Sequence, residues 1–167
     1  MRYKILKFNR TTSEIIPVKL STDNTVDRVA AGSCANSLGG SPTRADGFNN
    51  EAPEPICGTF ESCLFCEFFT VHIDFEDIHK LCSLKEALLQ SSILRNDSEH
   101  HQAVIEPAIF RIDEILTYLR KKSETSIGII HEVEEKIEMG VYNEHWNSQI
   151  QVLTAAINNN HKCELRL

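Results

Sequence analysis

The sequence lacks the features that mark several common classes of protein. No apolar run approaches the roughly 20 residues that a membrane-spanning helix needs, so we expect no membrane span. The first eight residues carry positive charge but no long apolar stretch and no small-residue cleavage site. We therefore predict no signal peptide and expect a cytoplasmic protein.

Motifs of the best-known enzyme classes are also missing. There is no Gly-x-x-x-x-Gly-Lys loop for nucleoside triphosphates, no Gly-x-Ser-x-Gly turn around a serine nucleophile and no His-Glu-x-x-His motif. The adjacent pairs His100-His101 and Glu134-Glu135 are expected on solvated helix faces, and we assign them no role. We therefore predict that the chain is not an enzyme.

Positive charge is scarce in most of the chain. The sequence of 167 residues has 17 Lys and Arg against 24 Asp and Glu, a net charge of −7. Residues 1–50 hold seven basic and four acidic side chains (+3), whereas the remainder holds ten and twenty (−10). Because nucleic-acid affinity rests largely on neutralising phosphates with Lys and Arg, we expect DNA to be bound weakly or indirectly at most.

Cysteine is the residue that the sequence does concentrate. Cys57, Cys63 and Cys66 fall within ten residues, and the last two form a Cys-x-x-Cys pair. That spacing lets two sulfurs from one tight turn approach a single ion, and thiolate is a ligand that Zn²⁺ prefers. Gly58 follows Cys57, where a knuckle turn needs backbone freedom. We therefore predict a structural zinc site rather than a disulfide framework.

The fourth ligand of this predicted site is open at the level of sequence. Cys34 would complete an all-thiolate shell and pin the long loop around it, so we favour it. His72, six residues after the pair, is the alternative, and Asp74 is close enough in sequence to orient its ring. Incidental buried thiols and a redox dithiol are the rival interpretations. Cys82 falls on a helix stripe and is expected in the core.

The pattern of residues divides the chain into four parts. We expect a strand-like segment, a loop-rich cysteine knuckle, a helical bundle and a tail, at 1–20, 21–73, 74–158 and 159–167. Pro17 limits central pairing in the first part. Residues 21–56 have linker composition, and 68–73 is a short β-prone run. The tail carries Cys163, which we expect to be unrelated to the zinc site.

Four helices are predicted in the bundle from apolar residues at helical spacing. They span about 74–90, 98–122, 124–139 and 143–157. Asp74 and Asn143 are good N-caps, and Gly140 is a good residue to follow the third helix. Pro107 should kink the second helix or mark its true start, and Trp146 is expected as a core anchor. The predicted fold class is mainly α: an irregular zinc knuckle with a short β element, then about four helices.

Six short stretches form a distinctive set. They are Ala45-Asp46-Gly47-Phe48, Ala52-Pro53-Glu54-Pro55-Ile56-Cys57, Cys63-Leu64-Phe65-Cys66, Val71-His72-Ile73-Asp74-Phe75-Glu76-Asp77-Ile78, Ile112-Asp113-Glu114-Ile115-Leu116 and Tyr142-Asn143-Glu144-His145-Trp146. Together they resemble the C-terminal region of bacterial tyrosine-recombinase-type, or phage integrase-like, proteins, over most of residues 30–157. The resemblance implies an accessory region of a mobile-element protein that assists DNA recombination or integration, with a recombinase or another mobile-element protein as its partner.

The resemblance also implies what this chain lacks. Tyrosine recombinases cleave DNA with a tyrosine nucleophile assisted by Arg and His residues, in a catalytic domain that would precede residue 1. Tyr3, Tyr118 and Tyr142 follow no His-x-x-Arg signature. We therefore interpret the chain as a non-catalytic, zinc-stabilised interaction module. The alternatives are a protein–protein adaptor unrelated to recombinases and a metal-dependent enzyme that uses the thiol cluster, for which Glu61, Glu67 or Asp74 could supply a base.

Overall fold

The computed structural model describes residues 10–12, 14–36, 38–95 and 99–164, with side chains as far as residue 160. Its strands are β1 (Lys19–Leu20), β2 (Asp27–Val29), β3 (Gly32–Cys34) and β4 (Phe69–Val71). Its helices are α1 (Phe60–Cys63), α2 (Phe75–Arg95), α3 (Glu106–Arg120), α4 (Glu124–Glu138) and α5 (Glu144–Glu164). A π-helical turn, His101–Ile105, leads directly into α3. Among the described residues, no helix combines the length and the apolar character needed to cross a bilayer.

The strands form one small sheet in the part of the chain that precedes residue 74, which is called the cysteine-rich half below. Its order is β1-β4-β3-β2, with β1 parallel to β4 and the other neighbours antiparallel. The β-prone run predicted at 68–73 forms β4, in which Phe69 pairs with Cys34. The strand-like segment predicted at 1–20 contributes β1 at its end, and residues 1–9 lie outside the described residues.

The helical half confirms the predicted mainly-α class, and α2 is at its centre. This helix packs against α3, α4 and α5. Its apolar stripe is buried, as expected for an amphipathic helix, and consists of Ile78, Leu81, Leu84 and Leu88. A cluster of buried apolar side chains extends from Val18 to Ile150, so the cysteine-rich half and the helices share one core.

Local signals in the sequence account for several helix ends. Asp74 Oδ1 accepts the N–H of Asp77 at 2.9 Å, and Asn143 Oδ1 accepts a first-turn N–H of α5 at 3.1 Å. Gly140 follows α4 with a φ of +76°, a conformation that side chains with a Cβ rarely adopt. Pro107 lies in the first turn of α3, directly after the π-helical turn, so the helical backbone begins before it. The prediction that Pro107 marks the true start of the second helix is therefore wrong, and the departure from α-helical hydrogen bonding falls in the turn just before the proline.

Other boundaries differ from the predictions. The short helix α1 was not predicted, and α2 continues to Arg95, beyond the predicted end near residue 90. The predicted start of the second helix, near residue 98, lies outside the described residues. The tail predicted at 159–167 is helical as far as residue 164. Asparagine lowers helix propensity by less than about 1 kcal/mol per residue relative to alanine, too little to end a helix that contains no Gly or Pro there.

Two buried contacts seat the cysteine-rich half on the helices. Arg111 of α3 donates to Glu114 and to the Ile16 carbonyl, each at 2.6 Å. Glu114 in turn accepts the N–H of Ile16 at 3.1 Å. Trp146 of α5 donates its indole N–H to the Ala30 carbonyl at 2.8 Å and is 3% exposed, which confirms it as a core anchor.

Candidate metal centre

Four cysteines, three of them within ten residues of one another and one more than twenty residues earlier, line one pocket of about 100 Å³. They are the four predicted zinc ligands, Cys34, Cys57, Cys63 and Cys66. Cys34 ends β3, Cys63 ends α1, and the other two lie in the loops on either side of α1. None of the five cysteines with described side chains forms a disulfide. The pocket therefore presents four thiols.

Local hydrogen bonds hold the loop that carries Cys57 against α1. The hydroxyl of Ser62 accepts the N–H of Ile56 at 3.0 Å and donates to the carbonyl of Thr59 at 2.9 Å. Between them, Gly58 has a φ of +88°, in the left-handed region that favours glycine. The backbone freedom expected of this glycine is therefore used in the turn that leads into α1.

The Cys-x-x-Cys turn is joined directly to the sheet. The N–H of Cys66 donates to the carbonyl of Cys63 at 3.0 Å, which closes the turn. The carbonyl of Cys66 accepts the N–H of Phe69 at 3.1 Å, at the first residue of β4. Because Phe69 is paired in register with Cys34, the pairing of β3 with β4 brings Cys34 beside the turn.

The thiols of this pocket influence one another's protonation. Burial, together with the neighbouring thiols of Cys66, Cys34 and Cys57, raises the pKa of Cys63 to about 11. Burial also raises the pKa of Cys66, although a hydrogen bond from the backbone of Phe68 opposes the rise. A divalent cation would reverse this balance, because metal binding favours the thiolate and releases its proton.

The pocket is not a finished coordination shell. In the described part of the chain, no group of three or more His, Cys, Asp or Glu side chains is arranged to hold a metal ion. Zinc binding therefore requires the thiols to turn toward a common centre. Cys57 is exposed, with open space around the neighbouring Gly58, whereas the other three thiols are half-buried. The donor type suits Zn²⁺, because four thiolates make a common closed structural site, and the zinc knuckle stays a prediction.

His72, the alternative fourth ligand, does not line this pocket. Its Nδ1 lies 2.9 Å from the carboxylate of Asp77, and its Nε2 lies 3.0 Å from the carbonyl oxygen of Asp23. Burial lowers the pKa of His72, but these two hydrogen bonds outweigh it and leave the pKa above its ordinary value. Both ring nitrogens are therefore engaged with oxygen atoms, whereas a zinc ligand needs a free lone pair. The ligand set that includes His72 is therefore not assembled.

Asp77 is the centre of the polar cluster around His72. Its carboxylate is fully buried and accepts the N–H of His72 and the hydroxyl of Ser33, each at 2.9 Å. Arg28 pairs with Asp77 at 2.9 Å and with Asp74 at 2.8 Å. Orienting the ring of His72, the role expected of Asp74, therefore belongs to Asp77.

Ser33, His72 and Asp77 have the side chains of a hydrolase triad in a different arrangement. Ser33 is fully buried, and its Oγ lies 3.1 Å from Nδ1, the same ring nitrogen that faces Asp77. In a working triad, the histidine contacts the nucleophile with one nitrogen and the acid with the other. This cluster joins β3, the end of β4 and α2 instead, and sequence reasoning missed it because Ser33 lies 39 residues before His72.

The adjacent pairs of His and Glu do not form a joint site in the described structure. His100 and Glu135 are exposed, as expected, and Glu134 forms an ion pair with an arginine of α3. His101 is 8% exposed, with Nε2 at 2.9 Å from the hydroxyl of Ser92. The prediction of a solvated face is therefore wrong for His101, because the π-helical turn packs it against α2.

Among the residues that the structure describes, the remaining cysteine and tyrosines do not line the pocket. Cys82 is in the core, as predicted, and burial raises its pKa to about 12. The side chain of Cys163 and the whole of Tyr3 lie outside the described residues. Tyr118 is half-buried beneath a lysine, and burial raises the pKa of Tyr142. A raised pKa disfavours the phenolate, so Tyr142 is not activated as a nucleophile.

With the geometry established, the chain was compared with known proteins. No protein-family model, no curated protein and no solved structure matches it. The likeness to the C-terminal region of integrase-like proteins therefore rests on the six sequence stretches alone.

Proposed function

We propose that the chain is a non-catalytic interaction module whose cysteine-rich half is stabilised by one structural Zn²⁺ ion. The observation that carries this proposal is the pocket shared by Cys34, Cys57, Cys63 and Cys66. Three separate pieces of backbone supply these thiols, so one ion would cross-link β3, the loop before α1 and the Cys-x-x-Cys turn. No step of chemistry is assigned to the ion, because four protein ligands leave zinc no open position.

The partner in this proposal is a protein. The resemblance to the C-terminal region of integrase-like proteins implies which class of protein it is. A recombinase or another mobile-element protein would be held by the module during DNA recombination or integration. Two observations support a protein rather than DNA as the direct partner. One is the net charge of −10 from residue 51 onward, and the other is the set of exposed apolar side chains on the helices, among them Leu89, Ile93 and Ile127.

Zinc content of protein purified without added metal tests the metal half of the proposal. We expect about one Zn²⁺ per chain by elemental analysis, because the pocket offers one four-thiol site. Cys63→Ser and Cys34→Ser should each lose zinc and expose residues 35–56 to proteolysis. Cys163→Ser is the matched control and should retain zinc. His72→Gln should retain zinc as well.

The outcomes of this test separate the ligand sets. A folded wild-type chain without zinc would refute the metal site. Loss of zinc in His72→Gln with retention in Cys34→Ser would show that His72 is the fourth ligand and that Cys34 is not.

A further inference from the structure

A groove of about 380 Å³ opens between α2 and α4, on the helical half of the molecule. Its apolar surface comes from Cys82 and Leu89 of α2, Leu116 of α3 and Ile137 of α4. An apolar cavity of about 150 Å³ can hold a benzene molecule, so this groove has room for at least two aliphatic side chains. No residue that lines it also lines the cysteine pocket.

The rim of the groove is acidic. Glu86, Glu134 and Glu138 line it, and the basic lining residue is Lys85, which is paired with Asp113 at 2.5 Å. Glu134 is paired with an arginine of α3, whereas no salt bridge among the described residues compensates Glu86 or Glu138. In the described structure, a ligand that covers the apolar floor therefore meets a carboxylate without a salt-bridge partner on α2 and another on α4.

The apolar surface continues beyond the groove along α2. Leu89 is 41% exposed, and Ile93, one helical turn further on, is 61% exposed. Both lie on the face of α2 that carries Cys82, because residues 82, 89 and 93 are spaced by seven and four positions. The exposed apolar surface is therefore an elongated strip beside a row of carboxylates. This strip is longer than a small molecule needs.

We propose that this groove binds a basic amphipathic helix of a partner protein. Aliphatic side chains at i, i+3, i+4 and i+7 of such a helix would fill the floor and cover Leu89 and Ile93. Its Lys and Arg side chains would flank that stripe and pair with Glu86 and Glu138. The acidic helical half of the chain would also speed the encounter with a positively charged partner.

This inference rests on the proposed function only in taking a protein as the partner. It does not depend on zinc, because the groove is built from α2, α3 and α4, and the four thiols of the candidate metal centre do not line it. Zinc content is therefore measured on every variant below, so that a failure of the metal site and a failure of the groove are distinguishable.

The probe is a synthetic helix of about four turns with leucines at i, i+3, i+4 and i+7 and lysines at the flanking positions. A second peptide has glutamates in place of the lysines. We expect the lysine peptide to bind the intact chain at least about ten-fold more tightly than the glutamate peptide, by fluorescence anisotropy at low salt. Equal affinities would overturn the proposal.

Matched variants separate binding in the groove from general attraction to an acidic protein. Glu138→Lys on the rim should weaken binding of the lysine peptide at least about five-fold more than Glu132→Lys, an exposed residue of the same helix outside the groove. Leu89→Ser should weaken binding, whereas Val152→Ser, an exposed position of α5, should not. Equal losses within either pair would overturn the proposal, whatever the zinc content.

Discussion

At the scale of the residue, the protonation of His72 is set by the groups that face it. The carboxylate of Asp77 and the carbonyl of Asp23 favour the imidazolium, and Arg28 opposes it. Because the folded-state pKa lies above the ordinary value, the stabilising contribution of His72 is fully present below about pH 6.5. It is lost as the pH rises through the folded-state pKa, so this residue makes the folded chain less stable on the alkaline side.

The first prediction concerns this pH dependence. Between about pH 6 and pH 8, the free energy of unfolding should fall less in His72→Gln than in the wild type, because glutamine does not titrate. Urea unfolding at the two pH values, with the same zinc concentration throughout, measures the difference. His131→Gln, at an exposed position of α4, should behave like the wild type. Indistinguishable pH dependence in His72→Gln and wild type would show that His72 is not held as imidazolium.

At the scale of the element, α3 is fastened to the N-terminal segment by a buried ion pair. Arg111 and Glu114 are 3% and 8% exposed, and both contact the backbone of Ile16. Arg10 adds a second positive charge at 2.8 Å from Glu114. Removing the carboxylate alone would leave buried positive charge without compensation, which costs more than the pair contributes.

The second prediction concerns the cost of removing one partner of this buried ion pair. Glu114→Ala should lower the free energy of unfolding by about 3–5 kcal/mol, as measured by chemical denaturation. Asp113→Ala, next to it in sequence, removes a half-exposed pair with Lys85 and should cost less than about 1 kcal/mol. Similar costs for Glu114→Ala and Asp113→Ala would mean that the buried pair contributes little to the attachment.

The elements that the sequence predicts best are those specified by local signals. Asp74, Asn143 and Gly140 mark helix ends through hydrogen bonds or backbone conformations within one turn. The extension of α5 through its asparagines and the burial of His101 depend on neighbouring helices and on weak propensities. Sequence patterns do not contain that information, so these features were predicted incorrectly.

The candidate site also has features that local sequence predicts and features that depend on contacts between distant residues. The spacing of Cys63 and Cys66 is local, and it predicts a turn that the structure contains. Cys34 reaches the same pocket through the pairing of β3 with β4. The sequence alone left Cys34 and His72 as two options for the fourth ligand. The contacts of Asp77 with Ser33 join elements distant in sequence, and no spacing rule finds them.

At the scale of the whole molecule, charge is distributed unevenly. Residues 51–167 carry ten basic and twenty acidic side chains, and the acidic groove rim belongs to this part. A surface of this sign repels phosphates and attracts basic proteins, and salt screens both effects over about 10 Å at 0.1 M.

The third prediction is therefore that the chain neither cuts DNA nor joins it covalently. Incubation with labelled duplex followed by denaturation should show no protein–DNA adduct, because Tyr118 and Tyr142 follow no His-x-x-Arg signature and burial raises the pKa of Tyr142. Any duplex binding should be weak and should vanish at moderate salt. An adduct that disappears in Tyr118→Phe or Tyr142→Phe would contradict the non-catalytic function. Tight, salt-resistant binding would contradict the electrostatic argument and leave the zinc site standing.

The position of Trp146 gives the chain a built-in optical reporter. It is the single tryptophan in the sequence, and its ring lies 5.4 Å, centroid to centroid, from Phe60 of α1, the helix that ends at Cys63. Its indole N–H is also bound to the turn between β2 and β3. The intrinsic emission of the native chain therefore senses whether the cysteine-rich half is seated on α5, so that its loosening or tightening can be followed in time without an added dye.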